Sequence, residues 1–281
     1  MKNLTEILQS LLDPRTPIFV HSDVARALGF LQGWNPPNPT TGAQDWVQNL
    51  RRWLLALGAP VVMPTFNYDF TKTKIFDVDQ SPSQVGALTE QFRLQPGTWR
   101  TQDPIFSCAG MTTSWKPLNL RAPEKAFGVD SIFHELHEQN CQVLFLGAEL
   151  KAFTFVHYIE SQSGGPLYRY DKIFTGEIRS AHQLPQPLRY IYHVRPKGVV
   201  WDYDWPRLQK ELVAAGLMKV LMSKGKQKGL YLKISGVADF WLEKIRENPL
   251  YLLNPASQDL FARKLDQLGR RVRVEDFESP N

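Results

Sequence analysis

The sequence predicts an α/β fold, because short apolar runs of strand length alternate with segments of helical periodicity, with turn-forming and capping residues between them. Composition agrees. The 281 residues are 43% hydrophobic and 12% aromatic, with 16 Phe and 8 Trp, enough for a sizeable core and far too apolar for a disordered chain. The length suits one large domain or two unequal lobes, and no internal repeat divides it.

The elements follow in order. Residues 1–12 read as a short amphipathic helix; Glu6 interrupts any apolar run, so this is not a secretory leader. Residues 17–21 form a buried strand, and Ser22 and Asp23 offer cap chemistry to a helix over 24–28 closed by Gly29. Residues 35–41, rich in Pro and Asn, are loop, and 46–57 are helical up to Gly58. The strand 61–63 runs into a polar and aromatic segment, 64–70, of the kind that presents side chains to a ligand. Residues 71–85 lack periodicity and read as a long surface loop. A helix at 88–92 and a turn at 95–97 precede the segment 100–110, which ends in Gly110. Ser131 opens an amphipathic helix that ends before the most apolar strand, 142–147. Two strand-like pieces centre on Ile173 and on 190–194, followed by a helix at 205–217, a short strand at 231–234 and helices at 237–247 and 257–268.

The balance of 33 basic and 28 acidic residues, a net +5, is too small to assign an anionic partner. Its densest cluster, Lys219, Lys224, Lys226 and Lys228, reads as a solvated Gly-containing loop. No RNA-binding or helix-turn-helix signature is present, so no nucleic-acid partner is expected. No run approaches 18 apolar residues, so no membrane partner is expected either. Cys108 and Cys141 have neither CxxC spacing nor histidines placed for zinc, which fits a reduced, cytoplasmic setting. Nothing in the chain excludes a homodimer.

One segment carries chemistry. Thr154, His157 and Glu160 are spaced i, i+3, i+6 at a helix start, so neighbours stack along roughly one face. An amine must lose a proton to attack a carbonyl, and an imidazole suits that task; a carboxylate can hold the imidazole, and a Thr hydroxyl or helix N–H can meet an oxyanion. The same spacing also fits an N-cap threonine and a satisfied helix histidine.

The run T-F-V-H-Y-I-E at 154–160 resembles the signature of the aminoglycoside 3-N-acetyltransferase family, usually T-F-L-H-Y-A-E. Further blocks resemble that family in order: V-H-S-D-V-A-R-A-L-G at 20–29, V-M-P-T-F at 62–66, G-A-L-T-E at 86–90, P-I-F-S at 104–107, L-F-L-G at 144–147 and Y-R-Y-D-K at 168–172. The resemblance implies one domain over 1–281, with 201–281 mainly helical, built as three α/β/α layers around a central mixed, largely antiparallel sheet. It implies acetyl-CoA as donor, a small-molecule primary amine on a sugar as acceptor, direct transfer, and no metal. His157 would be the base, Glu160 its partner and Thr154 the group polarising the thioester. Ser22, Asp23, Val24 and Arg26 would receive CoA, and Thr65 and Ser107 would line the donor pocket. Tyr68, Asp69, Glu90 and Asp103 are the acceptor candidates.

The chain departs from the family with Asp23 where a second Ser is common and Asp103 where His precedes Pro. These departures, the basic chain and the aromatic segment 65–70 favour an amino sugar of biosynthetic metabolism, nucleotide-linked or glycan-bound, with an aminoglycoside as the alternative. Three other readings compete: a metal hydrolase using His21, Asp23, Asp103 and His157; a Cys108 acyl-enzyme; and a CoA or sugar binding protein without turnover.

Overall fold

The computed structural model describes residues 4–27, 43–111, 115–181, 183–223 and 225–279. Strand β1 (Ile18–Ser22) is the centre of a seven-stranded sheet, flanked in parallel by β2 (Val61–Pro64) and β6 (Gln142–Leu146). Outside β2 lie β5 (Cys108–Met111) and then β4 (Thr98–Arg100); outside β6 lie β10 (Lys226–Lys233) and then β9 (Met218–Ser223), every outer pair antiparallel. The sheet is therefore mixed and largely antiparallel, as expected. Central parallel strands must be covered on both faces, which is why β2 and β6 read as unbroken apolar runs.

Strand alternation sorts those side chains onto two cores. Phe19, Val62, Val143 and Phe145 join one, under α6 (Ile132–Glu138), α7 (Phe155–Gln162), α8 (Trp205–Ala214) and α9 (Ile234–Glu247). Ile18, Val20, Val61, Met63, Leu144 and Leu146 join the other, under α1 (Leu4–Leu11), α3 (Ala43–Leu55) and α5 (Ala87–Arg93). These are the three α/β/α layers. Phe261 of α10 (Pro255–Leu268) also joins the first core.

The region 71–85 is not one long loop. It holds the end of α4 (Phe70–Thr73) and the strand β3 (Ile75–Asp77), which pairs in parallel with β7 (Tyr170–Ser180); β7 pairs with β8 (Gln183–Val194) to make a second, three-stranded sheet. A three-residue strand has no readable period, and its partner lies about 100 residues downstream. The lysine-rich stretch is likewise not all loop: Lys219 lies on β9, and Lys226 and Lys228 lie on β10, which starts earlier than the short strand expected. Residues 201–279 thus contribute a hairpin to the main sheet as well as helices.

The short helix α2 (Val24–Ala27) opens as its sequence suggests, with Asp23 Oδ1 accepting the Arg26 N–H at 3.1 Å. The expected closure at Gly29 and loop at 35–41 lie outside the described residues. Gly147, at φ +73°, ends β6 where a Cβ would meet the Ala27 nitrogen and the Asp23 carbonyl, each at 2.7 Å; this close approach seats α2 beside the strand ends. Among the described residues no helix is long and apolar enough to cross a membrane.

Candidate active site

A cavity of about 480 Å³ opens beside the ends of β1 and β2 and the start of α7. His21 and Ser22, Pro64 and Phe66, Thr154 and His157 reach it from those elements, and Tyr68, Tyr192, Tyr203 and Trp205 add aromatic wall. The helix α7 forms because Phe155, Val156, Tyr158 and Ile159 are all buried, held between the sheet and α9. Its remaining face carries His157 and Glu160.

Glu160 is 1% exposed, and its carboxylate is the hub of the site. Oε2 accepts from His157 Nδ1 at 2.9 Å and lies 3.4 Å from Arg169 Nε and 3.5 Å from His193 Nε2. Oε1 accepts from Tyr168 at 2.7 Å and from Tyr203 at 2.6 Å, and Tyr203 accepts in turn from Arg169 Nη2 at 2.8 Å. Burial by itself would raise the Glu160 carboxyl; the Arg169 guanidinium and the two imidazoles outweigh it and hold the group well below the carboxylate range. Burial, helped by Arg169, lowers His157 to about 4, so at neutral pH its imidazole is uncharged and able to take a proton.

Thr154 stands at the N-cap position of α7, yet its hydroxyl makes no capping bond and makes instead a long 3.4 Å donation to the Ala152 carbonyl. The residue lines the cavity beside His157. Of the CoA candidates, Ser22 lines the cavity, whereas Asp23, Val24 and Arg26 do not. Arg26 is tied to Asp23 and Glu149, and Glu149 also meets Lys151, which does line the cavity.

Thr65 and Ser107 do not line this cavity. Pro64, Phe66 and Phe106 face the cavity, so alternation turns Thr65 and Ser107 away from it, fully buried. Their hydroxyls lie 3.1 Å apart and accept from Arg100 Nε at 3.3 Å and 3.2 Å. Arg100 also donates to the carbonyls of Val78, Ser81 and Thr65, and burial lowers it to about 9. The two hydroxyls therefore seat a buried guanidinium.

Among the acceptor candidates, Tyr68 reaches the cavity. Asp69 is exposed and holds Gln84 at 2.7 Å, and Glu90 is bound by Arg93 at 2.5 Å and by the Ser83 N–H at 2.7 Å. Asp103 is 1% exposed and closes its own turn: Oδ1 accepts from the N–H groups of Ile105 and Phe106 at 3.0 Å and 2.6 Å and from Tyr190 at 2.8 Å. It does not line the cavity.

Burial raises the Asp103 carboxyl to about 6 against those three donors. The unfolded group titrates near ~4, so the stability this residue contributes is fully present below that pH and lost as pH rises through about 6. Asp103→Asn is expected to remove this term. Denaturant unfolding from pH 4 to 7 should then show the parent losing about 2–3 kcal/mol relative to the variant; parallel curves would refute it.

The alternative chemistries fare poorly. Cys108 is fully buried outside the cavity and burial pushes its thiol well up, so it is not a nucleophile. His21, at the cavity, is lowered by burial to about 3, and among the described residues it forms no ligand cluster with Asp23, Asp103 and His157. His157, Glu160 and His193 do converge, with ligand atoms within 4.8 Å, but the Arg169 cation already sits against the same carboxylate and repels a metal ion. Arg169, Tyr168, His193 and Tyr203 were not singled out by sequence; only the block 168–172 hinted at the first two.

The family model described as aminoglycoside 3-N-acetyltransferase matches residues 19–243. Aminoglycoside N(3)-acetyltransferase VII of Streptomyces paromomycinus is 30% identical over 165 residues, 56% of this chain and 51% of that relative, so the match spans about half the relative's length. The apoenzyme structure of aminoglycoside acetyltransferase AAC(3)-IVa superposes with a TM-score of 0.65 at 21% identity, covering 93% of this chain and 96% of that one. AAC-IIIb in its binary complex with CoASH gives 0.67 at 18% identity, covering 88% and 97%. The chain belongs to the aminoglycoside 3-N-acetyltransferase family.

Proposed function

We propose that this chain transfers the acetyl group of acetyl-CoA directly to a primary amine of an aminoglycoside. The observation that carries the proposal is His157: its Nδ1 is held by Glu160, and the uncharged ring, whose Nε2 is engaged by none of the hydrogen bonds among the described residues, lines the cavity. Family membership supports the reaction class, and the names of similar proteins, including an AAC(3)-IVa mutant in complex with a gentamicin, support this acceptor over the biosynthetic amino sugar.

The amine nitrogen attacks the thioester carbonyl carbon while His157 Nε2 takes its proton, and the charge forming on the ring is met by Glu160 through Nδ1. The Thr154 hydroxyl donates to the oxygen that becomes negative, a role supported by the residue's position on the cavity wall. Collapse breaks the C–S bond, and the thiolate takes the proton held by His157, leaving as CoA and restoring the neutral imidazole. A cavity of about 480 Å³ suits an acetyl-pantetheine arm, with Ser22 and Lys151 on its wall for the donor's polar end. Dependence on acetyl-CoA and two buried free cysteines support a cytoplasmic setting.

One observation favours the second reading, an amino sugar of lower positive charge. The charged lining is Lys151, Arg169, Arg195 and Asp202; Asp202 lies 3.5 Å from Arg195, and residues 28–42 and 112–114 contain no Asp or Glu. Thiol release from acetyl-CoA against a panel of aminoglycosides and nucleotide-linked amino sugars separates the two. Turnover with an aminoglycoside supports the main reading, turnover confined to the others supports the second, and none with any amine refutes both.

A further inference from the structure

His193 has no role in the scheme above. It lies on β8, is 7% exposed, and its Nε2 is buried without a hydrogen-bond partner among the described residues. That nitrogen faces Glu160 Oε2 at 3.5 Å, the same oxygen that accepts from His157. A lone pair there would oppose the carboxylate, so the proton belongs on Nε2. The ring is confined by Phe127, Tyr192 and His157, with centroids 5.5, 5.4 and 5.8 Å away, and its carbonyl accepts from Arg169 Nη1 at 3.4 Å. It also lines a second cavity of about 230 Å³, with Lys125, Ser161, Asp171 and Arg271.

We infer that His193 is a positioning residue: its Nε2–H completes the set of donors that fixes the Glu160 carboxylate against His157. The effect on rate rests on the acyl-transfer reading; the effect on the carboxylate does not. Two imidazoles share one oxygen, so each weakens the other's hold, and removal of His193 leaves Glu160 freer to stabilise a protonated His157. The charged and titratable groups around His193 are Glu160 and His157 on α7, Arg169 ahead of β7, Asp171 on β7, Tyr192 on β8, and Lys125 and Arg271 across the second cavity. None of the others approaches Oε2 from the position His193 occupies.

The test is NMR titration of His157 in the full chain labelled with ¹⁵N-histidine, without substrate, comparing His193→Phe and His193→Gln with the parent. The Phe variant keeps the volume without the donor, and the His157 midpoint should rise by roughly 0.5–1 pH unit. With acetyl-CoA and acceptor, kcat should fall roughly tenfold or more while KM for acetyl-CoA stays within about twofold. The Gln side chain can donate to the same oxygen and should return the midpoint most of the way. An unchanged midpoint in a folded Phe variant, or equal shifts in both variants, overturns the inference; if the Phe variant does not fold, His193→Asn, too short to reach Oε2, gives the same reading. A shifted midpoint in a protein that acetylates nothing would uphold the positioning role and refute the reaction alone.

Discussion

Replacing His157 by alanine is expected to lower kcat by roughly 10²–10⁴-fold while leaving acetyl-CoA affinity within about twofold. The imidazole acts on the amine proton in the transition state and carries no charge that the donor's phosphates could use at neutral pH. Steady-state thiol release paired with calorimetric titration of CoA separates the two quantities. Near-normal turnover would refute the base assignment, and a parallel loss of CoA binding would point instead to collapse of the cavity wall. Glu160→Gln should cost less, because a side-chain amide oxygen can still accept from Nδ1 at the 2.9 Å seen here but cannot balance the ring's positive charge.

The second large effect is expected at Arg169. Its guanidinium is 2% exposed, lies 3.4 Å from Glu160 Oε2, donates to Tyr203 and packs 5.0 Å from the centroid of Trp201. Arg169→Met preserves much of the apolar stem but strands an anion in the core, a loss of about 3–5 kcal/mol. In the parent, the depressed Glu160 contributes stability that is present above the unfolded carboxylate range and lost as pH falls through its folded value. In the variant that acid sensitivity should shrink, because loss of the guanidinium raises the Glu160 carboxyl. Turnover at neutral pH should fall with it and recover in part as pH is raised. Urea unfolding from pH 3 to 8 checks the first expectation and the pH profile of kcat the second; an unchanged unfolding midpoint would show that Arg169 does not neutralise Glu160.

These two residues mark the limit of what could be read directly. His157 and Glu160 were legible because one helical turn brings them together, and local periodicity is a property of the chain itself. Arg169 was visible only as part of a family-like block. Its role depends on β7 placing it against α7, and on Tyr203 arriving from beyond β8. Thr65 and Ser107 show the converse. They belong to family-like blocks whose neighbours line the cavity, but strand alternation points these two hydroxyls at Arg100.

By itself the sequence determined the α/β class, most of the helices, the central strands and the imidazole–carboxylate pair, since each depends on residues a few positions apart. Only the tertiary structure decided that 75–77 is a strand, that Asp103 serves its own turn and Tyr190, and that Glu160 is held by donors from three separate parts of the chain. Long-range pairing carries no local period, and the charge of a buried carboxylate is set by what the fold places around it.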